Sequence, residues 1–186
     1  MINDPFKKLM ECHEHILQQL RVFEASLSDL EADGLAAFNR QRESLRKTFE
    51  FIDTSVNVHT RDEEEGLFPL LDPKLQPRVR RPHFDRTPVQ AIQEQHRKGE
   101  EKTQRLKFLN SKLQKNPDQS GADIILEEFV KKGRELIDFY REHIRGEDEV
   151  VFPLAQQLLT DEEKVKLADI MNANRQSARG KSLVGS

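Results

Sequence analysis

The sequence predicts an all-α protein, and two observations support this fold class. The eight glycines and eight prolines of the 186 residues gather in a few places, while Leu, Glu, Lys, Gln and Arg fill the long stretches between them. Within those stretches apolar residues recur every three or four positions, which is the spacing of one helix face. We expect an up-down-up-down four-helix bundle with a short C-terminal fifth helix.

The first two helices are predicted to form a hairpin. Asp4 suits a helix cap and Pro5 suits the first helical turn, and this helix is expected to end near Gly34. The second helix carries an apolar stripe until Pro69 and Pro73, which are expected to stop it. An irregular crossing loop, rich in proline and arginine, then leads to about residue 88.

The second half of the chain repeats this plan. The third helix is expected over about residues 89–114, and the fourth is expected to end before Pro153. A capping box from Thr160 to Glu163 opens a fifth helix. The expected organisation is a bundle over residues 1–158, a short helix over residues 159–173 and a disordered tail over residues 174–186.

Composition narrows the classes of partner. Charged residues make up 34% of the chain but nearly cancel to a net charge of -3, so we expect neither nucleic acid nor a membrane surface as partner. Without a long apolar run or a signal-peptide pattern, the sequence predicts a soluble cytoplasmic protein, a monomer or weak oligomer. The single cysteine, Cys12, excludes a cysteine-rich zinc site and leaves nitrogen and oxygen atoms as metal ligands.

Two segments 84 residues apart share the pattern H-x-R-x-E-[ED]-E-x-[LV]-F-P-L, beginning at His59 and at His143. A shorter E-x-H repeat precedes each segment and ends at His13 and at His96. The intervals from the single histidine to the motif are 46 and 47 residues. The chain therefore consists of two helical hairpins of one design, each supplying one histidine and then a His-x-x-x-Glu.

The position of these residues on their helices predicts a metal site. The i, i+4 spacing puts the histidine and glutamate of each motif one turn apart on the same face, and that face is the apolar stripe. Early residues of the first and third helices lie level with late residues of the second and fourth. Buried without partners, such groups cost several kcal/mol each, whereas metal ions use them as ligands. One layer is expected to hold His13, His59, Glu63, His96, His143 and Glu147.

The motifs HTRDEEEGLFPLL and HIRGEDEVVFPL resemble the two signatures of the hemerythrin-like family, also called HHE cation-binding domains, over about residues 4–158. The resemblance implies a non-haem centre of two iron ions, bridged by the two glutamates and an oxo or hydroxo group, with manganese or zinc as substitutes. Oxygen, peroxide and nitric oxide are the small ligands that it implies. The same six residues are the ligands that the family pattern carries over.

Four residues leave alternatives open. Oxygen-carrying members have a further histidine where this chain has Glu100, which can ligate weakly, bind a water or face solvent. Asp148 competes with Glu147 as a ligand, and the internal repeat favours Glu147. For His83 a surface position is the default and ligation the alternative. For Tyr140 the default is core packing, and the alternative is a hydrogen bond to a metal-bound oxygen species.

Two classes of function follow from these features. The first is a di-iron protein that binds or reacts with oxygen, peroxide or nitric oxide, either as an enzyme of peroxidase, catalase or nitric oxide chemistry or without turnover. The missing histidine disfavours reversible oxygen carriage. The alternative is an iron- and oxygen-responsive sensor or interaction module. A ferritin-like carboxylate centre is disfavoured, because no histidine here has a glutamate three residues before it.

Overall fold

The computed structural model describes residues 4–79, 86–115 and 120–184, and within these ranges all regular secondary structure is helical. The all-α prediction is therefore confirmed. Three of the segments are π-helical turns inside longer helices, where the backbone bonds span five residues instead of four. The segments are Pro5–Phe51, the π turn Ile52–Val56, Asn57–Arg61, the π turn Asp62–Leu67, Phe68–Val79, Pro88–Lys115, Ala122–Gly146, the π turn Glu147–Val151, Phe152–Leu158 and Asp161–Val184.

The first segment contains the turn between two helices. Gly34 has φ 59° and ψ −140°, a conformation that glycine adopts without steric cost, and it divides Pro5–Phe51 into α1 (residues 5–33) and the start of α2 (residues 35–79). Gln19 and Thr48 lie about equally far from Gly34 on either side of it, and Gln19 donates a hydrogen bond to Thr48. The two helices therefore run antiparallel. The predicted start is also confirmed, because the side chain of Asp4 accepts a hydrogen bond from the backbone N–H of Phe6, the second residue of the helix.

The remaining helices are α3 (residues 88–115), α4 (residues 122–158) and α5 (residues 161–184). Neighbouring helices of the bundle run antiparallel. On the α1 and α4 side, Arg141 pairs with Glu24 at 2.7 Å and Arg134 pairs with Glu31 at 2.6 Å. This confirms the predicted four-helix bundle.

The prediction that Pro69 and Pro73 end the second helix is wrong. The helix continues through both prolines to Val79. A π turn ends at Leu67, two residues before Pro69, and at its end the N–H of Phe68 bonds to the carbonyl of Glu63, five residues back. Because this turn already breaks the four-residue hydrogen-bond ladder, a proline just after it costs little. The equivalent proline of the second motif follows a π turn in the same way and also lies inside a helix.

The C-terminal helix is longer than expected. Its capping box is confirmed, since the carboxylate of Glu163 accepts from the backbone of Thr160 and the hydroxyl of Thr160 accepts in return. The helix then continues to Val184, through most of the segment expected as a disordered tail. Tertiary contacts explain the extension, because Met171 and Asn174 are buried against the bundle.

Two apolar clusters lie on either side of one polar layer. The larger one fills the bundle toward the Gly34 turn and includes the packed rings of Phe23, Phe49 and Phe129. The smaller one fills the opposite end, where α5 contributes Leu167 and Met171. In the described part of the chain, no helix is long and apolar enough to cross a membrane.

Candidate metal centre

The polar layer consists of the six residues that the sequence predicted as ligands. Two come from the single histidines of α1 and α3, and four from the His-x-x-x-Glu motifs of α2 and α4. Each side chain is between 0% and 8% exposed. The structure therefore brings together all of His13, His59, Glu63, His96, His143 and Glu147, and its geometry groups them as candidate metal ligands.

The first glutamate lies between two pairs of histidines. The Nε2 atoms of His13 and His59 are 2.9 Å apart and form the first pair. One carboxylate oxygen of Glu63 lies 3.4 Å from Nε2 of His59, and the other lies 3.3 Å from Nε2 of His96. A carboxylate whose two oxygens face different histidine pairs has the arrangement of a ligand that bridges two ions.

The second glutamate repeats this arrangement. Oε2 of Glu147 lies 3.1 Å from Nε2 of His13, in the first pair. Its Oε1 lies 3.6 Å from Nε2 of His96 and 3.4 Å from Nε2 of His143, which form the second pair. Both glutamates thus face both histidine pairs.

These separations fit metal coordination better than hydrogen bonding. Two ligand atoms held about 2.1 Å from one ion lie about 3.0 Å apart at a right angle and about 3.4 Å apart at the tetrahedral angle. Within the described residues, all four carboxylate oxygens of Glu63 and Glu147 lack a hydrogen-bond partner, and so does Nε2 of His96. Orphaned buried polar atoms are costly. The donor set therefore fits one or two metal ions placed among these atoms.

Two of the histidines are held from outside by an acid of the opposite hairpin. Nδ1 of His13 lies 2.8 Å from a carboxylate oxygen of Asp148, and Nδ1 of His96 lies 2.8 Å from one of Glu64. Both acids directly follow the glutamate of a motif. Such a contact places the proton on Nδ1 and leaves Nε2 free to bind a metal ion. Asp148 therefore faces the outer side of His13 and lies outside the inner group of six.

The acid after each motif glutamate was visible in the repeat as the [ED] position, but its role was missed. A further signal was missed in the phenylalanine of each motif. Phe152 stacks on the ring of His13 with centroids 5.2 Å apart, and Phe68 stacks on His96 at 5.7 Å. Each hairpin thus supplies the acid and the stacked phenylalanine ring that orient the single histidine of the other hairpin.

The other two histidines differ from each other. Nδ1 of His143 lies 2.9 Å from the amide oxygen of Gln95. Nδ1 of His59 is buried and has no hydrogen-bond partner among the described residues. The shorter repeat accounts for this difference, since Gln95 in E-x-H corresponds to Cys12, whose thiol is a weak acceptor. The two halves of the centre are therefore not equivalent.

The two carboxylates differ in their affinity for protons. Burial, together with the neighbouring Glu147, raises the pKa of Glu63 to about 8. Burial also opposes the charge on Glu147, but its contacts with His13 and His96 hold its pKa below the usual range. The surroundings therefore favour the protonated form of Glu63 and the charged form of Glu147.

The histidines divide in the same way. Burial opposes protonation of His13 and His96, but the surrounding carboxylates outweigh it and raise their pKa values to about 9 and about 10. Burial lowers the pKa of His59 to about 3 and that of His143 to about 4. Each pair thus contains one imidazole whose surroundings favour the neutral form and one whose surroundings favour the protonated form, with which a metal ion would compete.

A small cavity adjoins the layer on the side of the larger apolar cluster. His59, His96 and His143 line it, together with Gly99 and Tyr140. The volume open to the centre of a water molecule is about 20 Å³. By the same measure, one bound water needs about 10–15 Å³. The cavity therefore has room for a molecule of one or two heavy atoms.

An open groove between α2 and α3, with a volume of about 530 Å³, shares Thr60, His96 and Tyr140 with the small cavity. Glu100 is exposed and lines this groove, outside the group of six candidate ligands. Tyr140 is 9% exposed and lies beside the cavity, in the core position expected by default. His83 lies outside the described residues.

The family model for the hemerythrin HHE cation-binding domain matches residues 4–155. The chain therefore belongs to this family of helical cation-binding proteins. A search of curated proteins returns no match to the sequence. The matched region ends before α5, which is an addition to the part that the family model describes.

Proposed function

We propose that the protein binds two iron ions in this layer and that the centre binds or reacts with oxygen, peroxide or nitric oxide. The observation that carries the proposal is the pair of buried glutamates, each of which directs one oxygen at one histidine pair and the other oxygen at the second pair. His13 and His59 would hold one ion, and His96 and His143 the other. Glu63 and Glu147 would bridge the two ions.

The choice of ion rests on donor chemistry. Imidazole nitrogen together with carboxylate oxygen suits iron, manganese and zinc, and of these iron and manganese exchange electrons under cellular conditions. A bound iron pair supplies a Lewis-acidic and redox-active site for a small oxidant. In the protein, hydrogen-bond acceptors on the outer side of the histidines orient their rings. The small cavity limits the size of the ligand.

The size of the cavity supports a small ligand. A diatomic molecule fits beside His96 and His143, whereas an organic substrate does not. The open groove at Tyr140 offers an approach to it from solvent. Because Glu100 lies in the groove and outside the layer, the geometry favours reaction or sensing over reversible oxygen carriage.

The test is the iron content of the purified protein, measured by elemental analysis, together with its near-ultraviolet absorption. We expect two irons per chain in the wild type and loss of both iron and absorption in a His59→Ala, Glu147→Ala double variant. His15→Ala is the matched control, since His15 is exposed and lies two residues from His13. A folded wild type without iron, manganese or zinc would refute the proposal.

Peroxide separates the two functional classes. Repeated consumption of added peroxide by the iron-loaded wild type, absent in the double variant, would identify an enzyme. A single spectral change without turnover would instead identify the iron- and oxygen-responsive sensor. The contacts of α5 with the motif of α2 favour this second candidate, because a sensor needs an element that responds to the centre.

A further inference from the structure

The added helix α5 packs on the backbone of the π turn that carries Glu63. A side chain at Gly66 in that turn would place its Cβ 2.8 Å from Leu167 and 3.4 Å from Ile170, so a larger residue would require these side chains to move. Leu67 of the turn and Met171 of α5 belong to the same apolar cluster. Helix α5 therefore packs directly against this turn.

The polar contacts between the two elements converge on Asp62, which is fully buried and directly precedes Glu63. One of its oxygens accepts a hydrogen bond from Asn174 at 3.1 Å, and the other pairs with Arg175 at 2.9 Å. Asn174 in turn accepts a hydrogen bond from Arg61 at 2.9 Å. We call Arg61, Asp62, Asn174 and Arg175 the Asp62 clamp.

The clamp also contacts the residue that precedes a second candidate ligand. Arg175 approaches the thiol of Cys12 at 3.6 Å, and Cys12 directly precedes His13. One side chain of α5 therefore contacts the residues before two of the six candidate ligands. These contacts join α5 to both the π turn and α1.

We propose that the Asp62 clamp positions Glu63 and couples metal occupancy to the docking of α5. This inference rests on the metal-binding function proposed above. An ion that binds Glu63 favours the π turn that α5 recognises, and docked α5 favours the turn that binds the ion. By thermodynamic linkage the two effects are equal in size. Asp62, Asn174 and Arg175 are positioning residues, since none of them faces the inner space of the layer.

The first experiment is amide hydrogen exchange of the full-length wild type with and without iron(II) under anaerobic conditions. We expect exchange in residues 167–175 of α5 to slow when the metal binds. Residues 20–30 of α1, far from the clamp in the same bundle, are the internal reference. Equal exchange in α5 with and without metal overturns the inference, and this measurement requires no variant to fold.

The second experiment measures iron(II) affinity by competition with a chelator. We expect an Arg175→Ala variant to bind roughly 10-fold more weakly, the size typical of losing an outer contact of a metal site, and Arg175→Lys to recover part of the loss. Asn172→Ala is the matched control, because Asn172 of α5 contacts Lys8 and not the clamp. Equal affinities of wild type and Arg175→Ala refute the coupling. A wild type that binds no metal refutes the proposed function itself, and so the two failures are distinguishable.

Discussion

Replacing Asp148 by alanine is expected to weaken the binding of only one of the two metal ions. Asp148 accepts from Nδ1 of His13 at 2.8 Å, and alanine removes this acceptor while the inner atoms of the layer stay in place. Loss of an outer acceptor typically weakens metal binding about 10- to 100-fold. Asp148 is 37% exposed, so water can partly replace it, and the expected loss is about 10-fold, or about 1.4 kcal/mol.

The assay is a chelator competition with iron(II) that resolves two binding steps. In Asp148→Ala the affinity for the ion held by His13 and His59 should fall, while the affinity of the other binding step should equal that of the wild type. Glu64→Ala should weaken the opposite step, because Glu64 holds His96. Asp148→Asn keeps an acceptor oxygen and should bind nearly as tightly as the wild type, which separates the hydrogen bond from the charge.

Glu149→Ala is the matched control for this experiment. Glu149 carries the same charge one residue further along, is exposed and does not contact His13. The reasoning is refuted if Asp148→Ala and Glu149→Ala bind both ions equally well. It is also refuted if Asp148→Ala weakens both steps alike, since the contact with His13 would then not be what matters.

Three further predictions concern pH, ligand access and packing. Because the surrounding carboxylates raise the pKa values of His13 and His96 to about 9 and about 10, protons compete with the metal at neutral pH, and iron(II) affinity should rise with pH. Chelator competition at several pH values checks this, and a flat profile contradicts it. Gly99→Ala puts a methyl group beside the small cavity, so stopped-flow mixing with nitric oxide should show slower binding at unchanged iron content, and an unchanged rate would count against the cavity as the ligand site. Gly133→Ala places its methyl group 2.6 Å from Leu27, and urea unfolding should show a loss of about 1–3 kcal/mol, whereas a gain would mean that Leu27 moves aside freely.

The fold class and the grouping of the candidate ligands depend on local properties of the sequence. Helix periodicity depends on spacing alone, so the apolar stripes could be followed along the chain without tertiary information. The internal repeat made the argument stronger, because it placed His59 and His143 at equivalent points of two hairpins. A buried stripe that contains histidine and glutamate predicts their convergence directly.

The course of the chain around Pro69 depended on tertiary structure. The π turns before the motif prolines pack against other helices, and their stability is not a property of single residues. A proline stops a helix on local grounds, but after a π turn the lost hydrogen bond is already absent. For the same reason the length of α5 was underestimated, since Met171 and Asn174 are ordered by contacts with residues more than a hundred positions away.

The outer contacts of the centre depend on tertiary structure. That Asp148 holds His13 follows from packing between α1 and α4, and that Arg175 reaches Asp62 follows from the docking of α5. Sequence alone determined a helical chain with six candidate ligands on its buried faces, because helix period and side-chain type are local. Only the tertiary structure decided which acid orients which histidine, because hydrogen bonds between helices depend on how whole helices pack.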